Sequence, residues 1–186
     1  MNTFNQDLFL FLNAFTGKNT YLDQIILGFG EVTPYAFIVL IIGLFFFTKR
    51  KNEAIFSTFS TVLALSISKI IGLLYFHNRP FMDHIGTTLK AHALDSSLPS
   101  DHTTLIFAIL STLLLFKSTR KIALISLPIG IIGSFARVFE GIHYPLDIIA
   151  GIAVGLLSAV IVYQSRERLI IINDIIFKVE KFIFRK

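Results

Sequence analysis

Cysteine is absent from the 186 residues. Its absence excludes disulfides, thiolate nucleophiles and cysteine-ligated zinc or iron–sulfur sites, and it leaves the redox state of the compartment unreported. Charge is scarce too, at 16% of residues against about 25% in an ordinary soluble domain, which argues against a soluble enzyme. Apolar residues fill the gap: they make up 54% of the chain, and the mean hydropathy is +0.72. They come in long runs rather than scattered through amphipathic segments, and the length is that of one domain. The chain therefore reads as a single all-α membrane domain over residues 1–186, a multipass helical bundle. The net charge of +5 does not point to nucleic acid, because the basic residues are not gathered with aromatics on one face. They sit between the apolar runs, where anionic lipid headgroups and orientation signals place them.

About five spans are expected, at Leu22–Thr48, Ala54–Phe76, His102–Phe116, Ile122–Phe139 and Leu146–Tyr163, against a bilayer requirement of about 20 residues each. The first is over-long and contains Gly28, Gly30, Glu31 and Pro34, so a bend near Glu31 is expected between an interfacial piece and a shorter membrane helix. Ahead of it, Phe4, Leu8, Phe11, Leu12 and Phe15 repeat at helical spacing within Asn2–Phe15, a segment too short to span and read as an amphipathic helix in the interface. The tail is similar: Ile172, Ile176, Val179 and Ile183 form a stripe, with Lys178, Lys181, Arg185 and Lys186 available to anionic lipid.

If five spans alternate, twelve of the 17 Lys and Arg fall on one side: Lys49, Arg50 and Lys51, then Lys117, Arg120 and Lys121, then Arg166, Arg168 and the four basic residues of the tail. By the positive-inside rule that side is the cytoplasm. The long loop from His77 to Asp101 and the short one from Glu140 to Pro145 are then extracytoplasmic. All five histidines, at 77, 84, 92, 102 and 143, belong with them. One face is for anchoring and the other for chemistry.

On that outer side lie Arg79-Pro80, Pro99-Ser100-Asp101-His102, Arg137, and His143-Tyr144-Pro145-Leu146-Asp147. In an antiparallel bundle these stretches meet around one pocket, and their inventory suits phosphate. Arg79 and Arg137 supply planar forks of donors that match phosphoryl oxygens. Ser100 reads as an N-cap and a further donor, at one of two helix amino termini that favour anions. His143 and Asp147 are four apart, so the carboxylate can hold one imidazole nitrogen and leave the other free to attack phosphorus. His102 can protonate the leaving oxygen and then activate water. This chemistry calls for no metal and no cofactor. Lys69 is an ionisable residue inside a span, which is either functional or, about two turns from the outer end, a residue that snorkels to the interface. Taken singly, His102 and Ser100 are capping residues, Arg137 snorkels, and His143 with Asp147 is a surface pair; together they read as a site. His77, Asp83, His84, Lys90, His92 and Asp95 are expected to face water, the alternative being contact with a headgroup, and Gly151 with Gly155 to mark close helix packing.

These motifs resemble the three-part signature of the type 2 phosphatidate phosphatase superfamily, from about Leu22 to Tyr163. Arg79-Pro80-Phe81, Leu98 to Thr104 and Gly141 to Asp147 are similar to its bacitracin-resistance branch, the undecaprenyl pyrophosphate phosphatases. The resemblance implies a metal-independent membrane lipid phosphatase with its catalytic core at about 54–163. It implies polyprenyl diphosphate as substrate, recycling of the cell-wall lipid carrier, and bacitracin resistance. His143 would be the nucleophile, Asp147 its orienter, His102 the acid and base, and Arg79, Ser100 and Arg137 the phosphate ligands. The chain departs from the family at Gly72, where a lysine is usual and the nearest one here is Lys69; at Asp101 in place of glycine, as in the branch named; and at Ala136 in place of serine. A phosphatidate or phosphatidylglycerophosphate phosphatase, a lipid-phosphate transporter that breaks no bond, and a metal-dependent hydrolase using His102, His143 and Asp147 as ligands are the competing readings.

Overall fold

A computed structural model describes residues 3–183 of the chain; Asn2, Arg185 and Lys186 lie outside them. Among the described residues the helices are α1 (Thr3–Asn13), α2 (Thr20–Phe47), α3 (Lys51–Leu74), α4 (Asp101–Leu115), α5 (Arg120–Phe139), α6 (Pro145–Gln164) and α7 (Arg166–Ile183), with a 3₁₀ turn at Pro80–Asp83 and no strand. Four of them, α2, α3, α5 and α6, are long and apolar enough to cross a membrane. The expected third span, α4, has only 15 residues, about 22 Å at 1.5 Å per residue and short of the roughly 30 Å hydrocarbon core.

Burial explains why so short a helix suffices. Thr103, Thr104 and every residue from Ile106 to Leu113 are buried, so α4 is enclosed by its neighbours rather than by lipid. It still joins the two ends of the bundle. At its start Ser68 Oγ of α3 donates to Asp101 Oδ1 at 2.5 Å, and just past its end Phe116 stacks on Phe56 of α3 at 5.6 Å. Because α3 continues from Ser68 to Leu74, α4 opens about 9 Å below the top of its neighbour.

The expected break of the first span near Glu31 does not occur. Instead α2 is a single helix of 28 residues, about 42 Å long, started by Asn19 Oδ1, which accepts from Tyr21 N and Leu22 N. Pro34 is carried inside it. The excess length projects beyond the turn between α5 and α6, where Tyr21, Leu22 and Ile25 are exposed.

The terminal helices do more than float. On α1 the predicted stripe faces outward at Phe4, Phe11 and Phe15, while Asn5, Phe9 and Asn13 are buried. Asn13 Nδ2 donates to the carbonyls of Thr87 and Phe139, each at 2.9 Å, and its Oδ1 accepts from Thr87 N at 2.7 Å. Asn5 Oδ1 accepts from Leu146 N, and Phe9 meets Tyr144 edge-on at 5.4 Å. Thus α1 is a strap across the long loop and the α5–α6 turn. At the other end α7 docks through polar contacts, Asn173 Nδ2 to Asn52 Oδ1 at 2.8 Å and a Lys51–Glu180 ion pair, and leaves Ile172, Val179 and Ile183 exposed.

The tightest helix contact is between α4 and α6. A Cβ on Gly155 would lie 2.7 Å from Ala108 N and 2.9 Å from Thr104 O, and one on Gly151 would lie 3.0 Å from Ser100 O. Backbone atoms cannot rotate away as side chains do. G155A should therefore cost about 1–3 kcal/mol and lower the thermal unfolding midpoint in detergent. G43A, where nothing lies within 4 Å, should leave it unchanged or raise it slightly. Equal midpoints for the two variants would contradict this packing.

Candidate active site

The start of α6 builds the centre of the site. Pro145 occupies the first helical position, where its missing N–H is no loss. Asp147 follows at the third, and its Oδ2 accepts from Tyr144 N at 2.7 Å and also from the Ser97 hydroxyl of the long loop. The carboxylate has no solvent exposure. Ser100 N donates to Asp147 O at 3.2 Å, which joins the opening of α4 to that of α6. The expectation that distant stretches meet at one end of the bundle is met.

His143 lies between a carboxylate and a cation. Its Nδ1 is 3.5 Å from Asp147 Oδ2 and 3.3 Å from Ser97 Oγ, while its Nε2 is 3.1 Å from Arg79 Nη1. A guanidinium only donates, so Nε2 accepts, and the ring proton belongs on Nδ1 facing Asp147. Burial pushes the imidazole down to about 4, with the Asp147 hydrogen bond opposing. The ring is therefore neutral at physiological pH, with its free lone pair on Nε2, as a nucleophile requires.

Arg79 is fixed from several directions, by Asp95 Oδ1 on Nε at 2.9 Å and by the Ile142 carbonyl on Nη1 at 2.9 Å. Arg137 closes α5 and donates from Nη1 to Glu140 Oε2 at 2.8 Å. His102, in the first turn of α4, lines a cavity of about 400 Å³ together with Arg137, Glu140, Ile142, Glu31 and Tyr35 of α2, and residues 90–93. Arg137, His143, His92 and Arg79 all act on His102 electrostatically. The two other expected residues stand apart. The Ser100 hydroxyl is fully buried, makes no cap to its own helix and accepts from Thr103 Oγ1 at 3.2 Å. Lys69 is exposed and lines a separate cavity with Asp95 and Asp101.

Of the loop residues expected to face water, Lys90 and Asp95 do so while also forming ion pairs, and His77, Asp83 and His92 are only partly exposed. His77 Nδ1 lies 3.7 Å from Asp147 Oδ1, and both atoms are buried without a hydrogen-bond partner among the described residues. Asp83 accepts from the Tyr144 hydroxyl at 2.8 Å, Asp95 holds Arg79, Lys90 pairs with Glu31, and His92 lines the cavity. Reading by motif also missed Ser97 and Glu140. Ser97 had no spacing signal; Glu140 had one, since it stands three residues beyond Arg137 at the end of a helix. Among the described residues no group of three or more His, Asp or Glu is placed to hold a metal ion.

Fold and site together define a multi-pass helical membrane protein in which two buried arginines and a carboxylate-oriented imidazole gather at one end of the bundle. The PAP2 superfamily pattern matches residues 53–171, and the chain belongs to that superfamily. It is 32% identical to undecaprenyl-diphosphatase BcrC of Bacillus subtilis over 98% of this chain and 94% of the relative. It is 30% identical to a Bacillus licheniformis protein named bacitracin transport permease protein BcrC, over 95% of this chain and 88% of that one. Among solved structures, a transmembrane PAP2-type phosphatidylglycerolphosphate phosphatase from Bacillus subtilis superposes with a TM-score of 0.70 at 19% identity, covering 90% of this chain and 86% of that one.

The burial of His143 is open to direct measurement. In detergent-solubilised protein with labelled histidine, its ring resonance should titrate near 4, well below the usual value of about 6.5. A midpoint near the ordinary value would mean that water reaches the ring.

Proposed function

We propose that the chain hydrolyses a polyprenyl diphosphate, with undecaprenyl diphosphate as the substrate, to the polyprenyl monophosphate and inorganic phosphate. The observation that carries this reading is the placement of His143, with Nδ1 against a buried carboxylate and Nε2 against Arg79. The full-length similarity to an undecaprenyl-diphosphatase supports the choice of substrate. In the resting site Arg79 covers the attacking nitrogen; an incoming phosphoryl group draws the guanidinium onto its own oxygens and frees the lone pair. Nε2 then attacks the terminal phosphorus, and the bond to the bridging oxygen breaks. The leaving monophosphate takes a proton from His102, while Asp147 stabilises the charge that develops on His143. In the second half His102 takes a proton from water as that water attacks the phosphohistidine, phosphate departs and His143 is restored. Arg79 and Arg137 neutralise the phosphoryl oxygens throughout. Ser100 acts through the amino terminus of α4, and Lys69 takes no part.

The basic residues at the opposite end of the bundle support an extracytoplasmic site, with the lipid tail among the helices. A transporter needs no imidazole oriented by a buried carboxylate, so bond cleavage is the better reading of the same pocket.

Brief exposure to substrate carrying a labelled terminal phosphate should give an acid-labile phosphoprotein, absent from H143A. Labelling retained in H143A would refute the nucleophile. D147N should lower kcat by about 10³ to 10⁴, on the analogy of the serine-protease carboxylate. Faster phosphate release from a glycerolipid monophosphate than from undecaprenyl diphosphate would overturn the substrate assignment. Uptake of lipid phosphate into vesicles without release would overturn the reaction itself.

A further inference from the structure

Of the two carboxylates that line the cavity, Glu31 is partly exposed and paired with Lys90, whereas Glu140 is buried, and the proposed reaction leaves it unused. It is 2% exposed and meets Arg137 through a single contact, Oε2 to Nη1 at 2.8 Å. Its Oε1 and the Nε of Arg137 are buried without a hydrogen-bond partner among the described residues. The pairing is therefore one-pronged, and the guanidinium keeps donor capacity that a bidentate phosphoryl group would satisfy better. A place has also been made for the carboxylate. A Cβ on Gly30 of α2 would stand 1.8 Å from Glu140 Oε1, so that oxygen occupies a notch that exists only because residue 30 has no side chain.

We propose that Glu140 is the resident anion of the Arg137 phosphate position: it holds the guanidinium while the site is empty, and a phosphoryl group displaces it and returns it to Arg137 on departure, with uptake and release of one proton. The inference rests on the reading of Arg137 as a phosphate ligand. A charged carboxylate and a phosphoryl dianion cannot share one guanidinium without like-charge repulsion in a buried setting. Protonating the carboxyl removes the conflict. Burial has already raised Glu140 to about 7, with Arg137 opposing, so the proton is available near neutrality. The other ionisable groups of the cavity are Glu31 and Lys90, paired with each other, Tyr35 of α2, and His92 and His102. When the phosphoryl group is cleaved away, Glu140 loses its proton and competes for Arg137, which favours release of product.

The sign of the linkage follows. Below about 7 Glu140 is neutral and a weak competitor; above it the carboxylate is charged, and an anion binds only by driving a proton onto it. Tungstate is a suitable probe because its own charge is constant near neutrality and above. As a competitive inhibitor of the wild-type protein it should weaken by up to about tenfold per pH unit above about 7. In E140Q its inhibition should be tighter than wild type at high pH and independent of pH there, with KM for the lipid lowered in parallel. Any slope remaining below about 7 belongs to His92 and His102. An unchanged alkaline slope in E140Q, or weaker tungstate inhibition, would overturn the proposal. Should E140Q fail to accumulate, calorimetry of tungstate binding to the wild type in buffers of different ionisation enthalpy should show about one proton taken up per anion above about pH 7, and zero uptake would overturn it. R137Q separates the two layers. Wild-type tungstate affinity in R137Q would sink the reading of Arg137, whereas lost affinity there with an unaltered alkaline slope in E140Q sinks only the role of Glu140.

Discussion

A carboxylate without solvent access sits where three parts of the structure meet. Asp147 closes the first turn of α6 by accepting the Tyr144 amide, binds the Ser97 hydroxyl of the long loop, and faces Nδ1 of His143. A buried carboxylate left alone would take up a proton or destabilise the fold by several kcal/mol. Its partners are what make it tolerable, and each of them is thereby placed. The requirement to satisfy one charge sets the register of α6 against the loop and fixes the tautomer of the imidazole. Folding and chemistry draw on the same contacts here.

The charges around the cavity are balanced to a degree that residue types alone do not reveal. Counting arginines and histidines suggests a strongly cationic cup. In the folded chain Arg79 is met by Asp95, Arg137 by Glu140 and Lys90 by Glu31. Such pairing suits the two buried guanidiniums, because an uncompensated charge out of water is costly, while Lys90 and Glu31 pair at the exposed rim. It also changes what binding means. An anionic headgroup entering this site exchanges partners with residues already in contact, so its net gain is a difference between two sets of ion pairs.

Much of this was legible in the sequence, for identifiable reasons. Apolar runs and the one-sided distribution of Lys and Arg located the helices and put Arg79, His102, Arg137 and His143 at one end, because bilayer thickness leaves little freedom in where a span begins and stops. The pairing of His143 with Asp147 was legible from their closeness in sequence, although His143 stands in the turn just before α6 and not on the helix itself. What escaped depended on how the loop folds back. Nothing in the string says that Ser97 reaches Asp147, that His77 turns inward, or that Asp95 rather than water meets Arg79, since those contacts cross 16 to 70 residues without a periodic pattern to carry them. The inner face of α1 escaped for a related reason. Its apolar stripe faces outward at Phe4 and Phe11, as an interfacial helix requires, while Asn5 and Asn13 are inside because the chain crossing beneath them has backbone groups to satisfy.

The backbone-to-backbone seam between α4 and α6 carries a mechanical consequence. Gly151 and Gly155 bring the two helices so close that sliding one on the other would drive side chain or backbone into backbone, and the pair bears His102 at one opening and His143 beside the other. Helices in a bilayer answer changes of thickness or lateral pressure by tilting. A tilt that preserved this backbone contact would have to be absorbed by the other helices, α2 and α7 among them, and would leave the spacing of the two imidazoles unchanged.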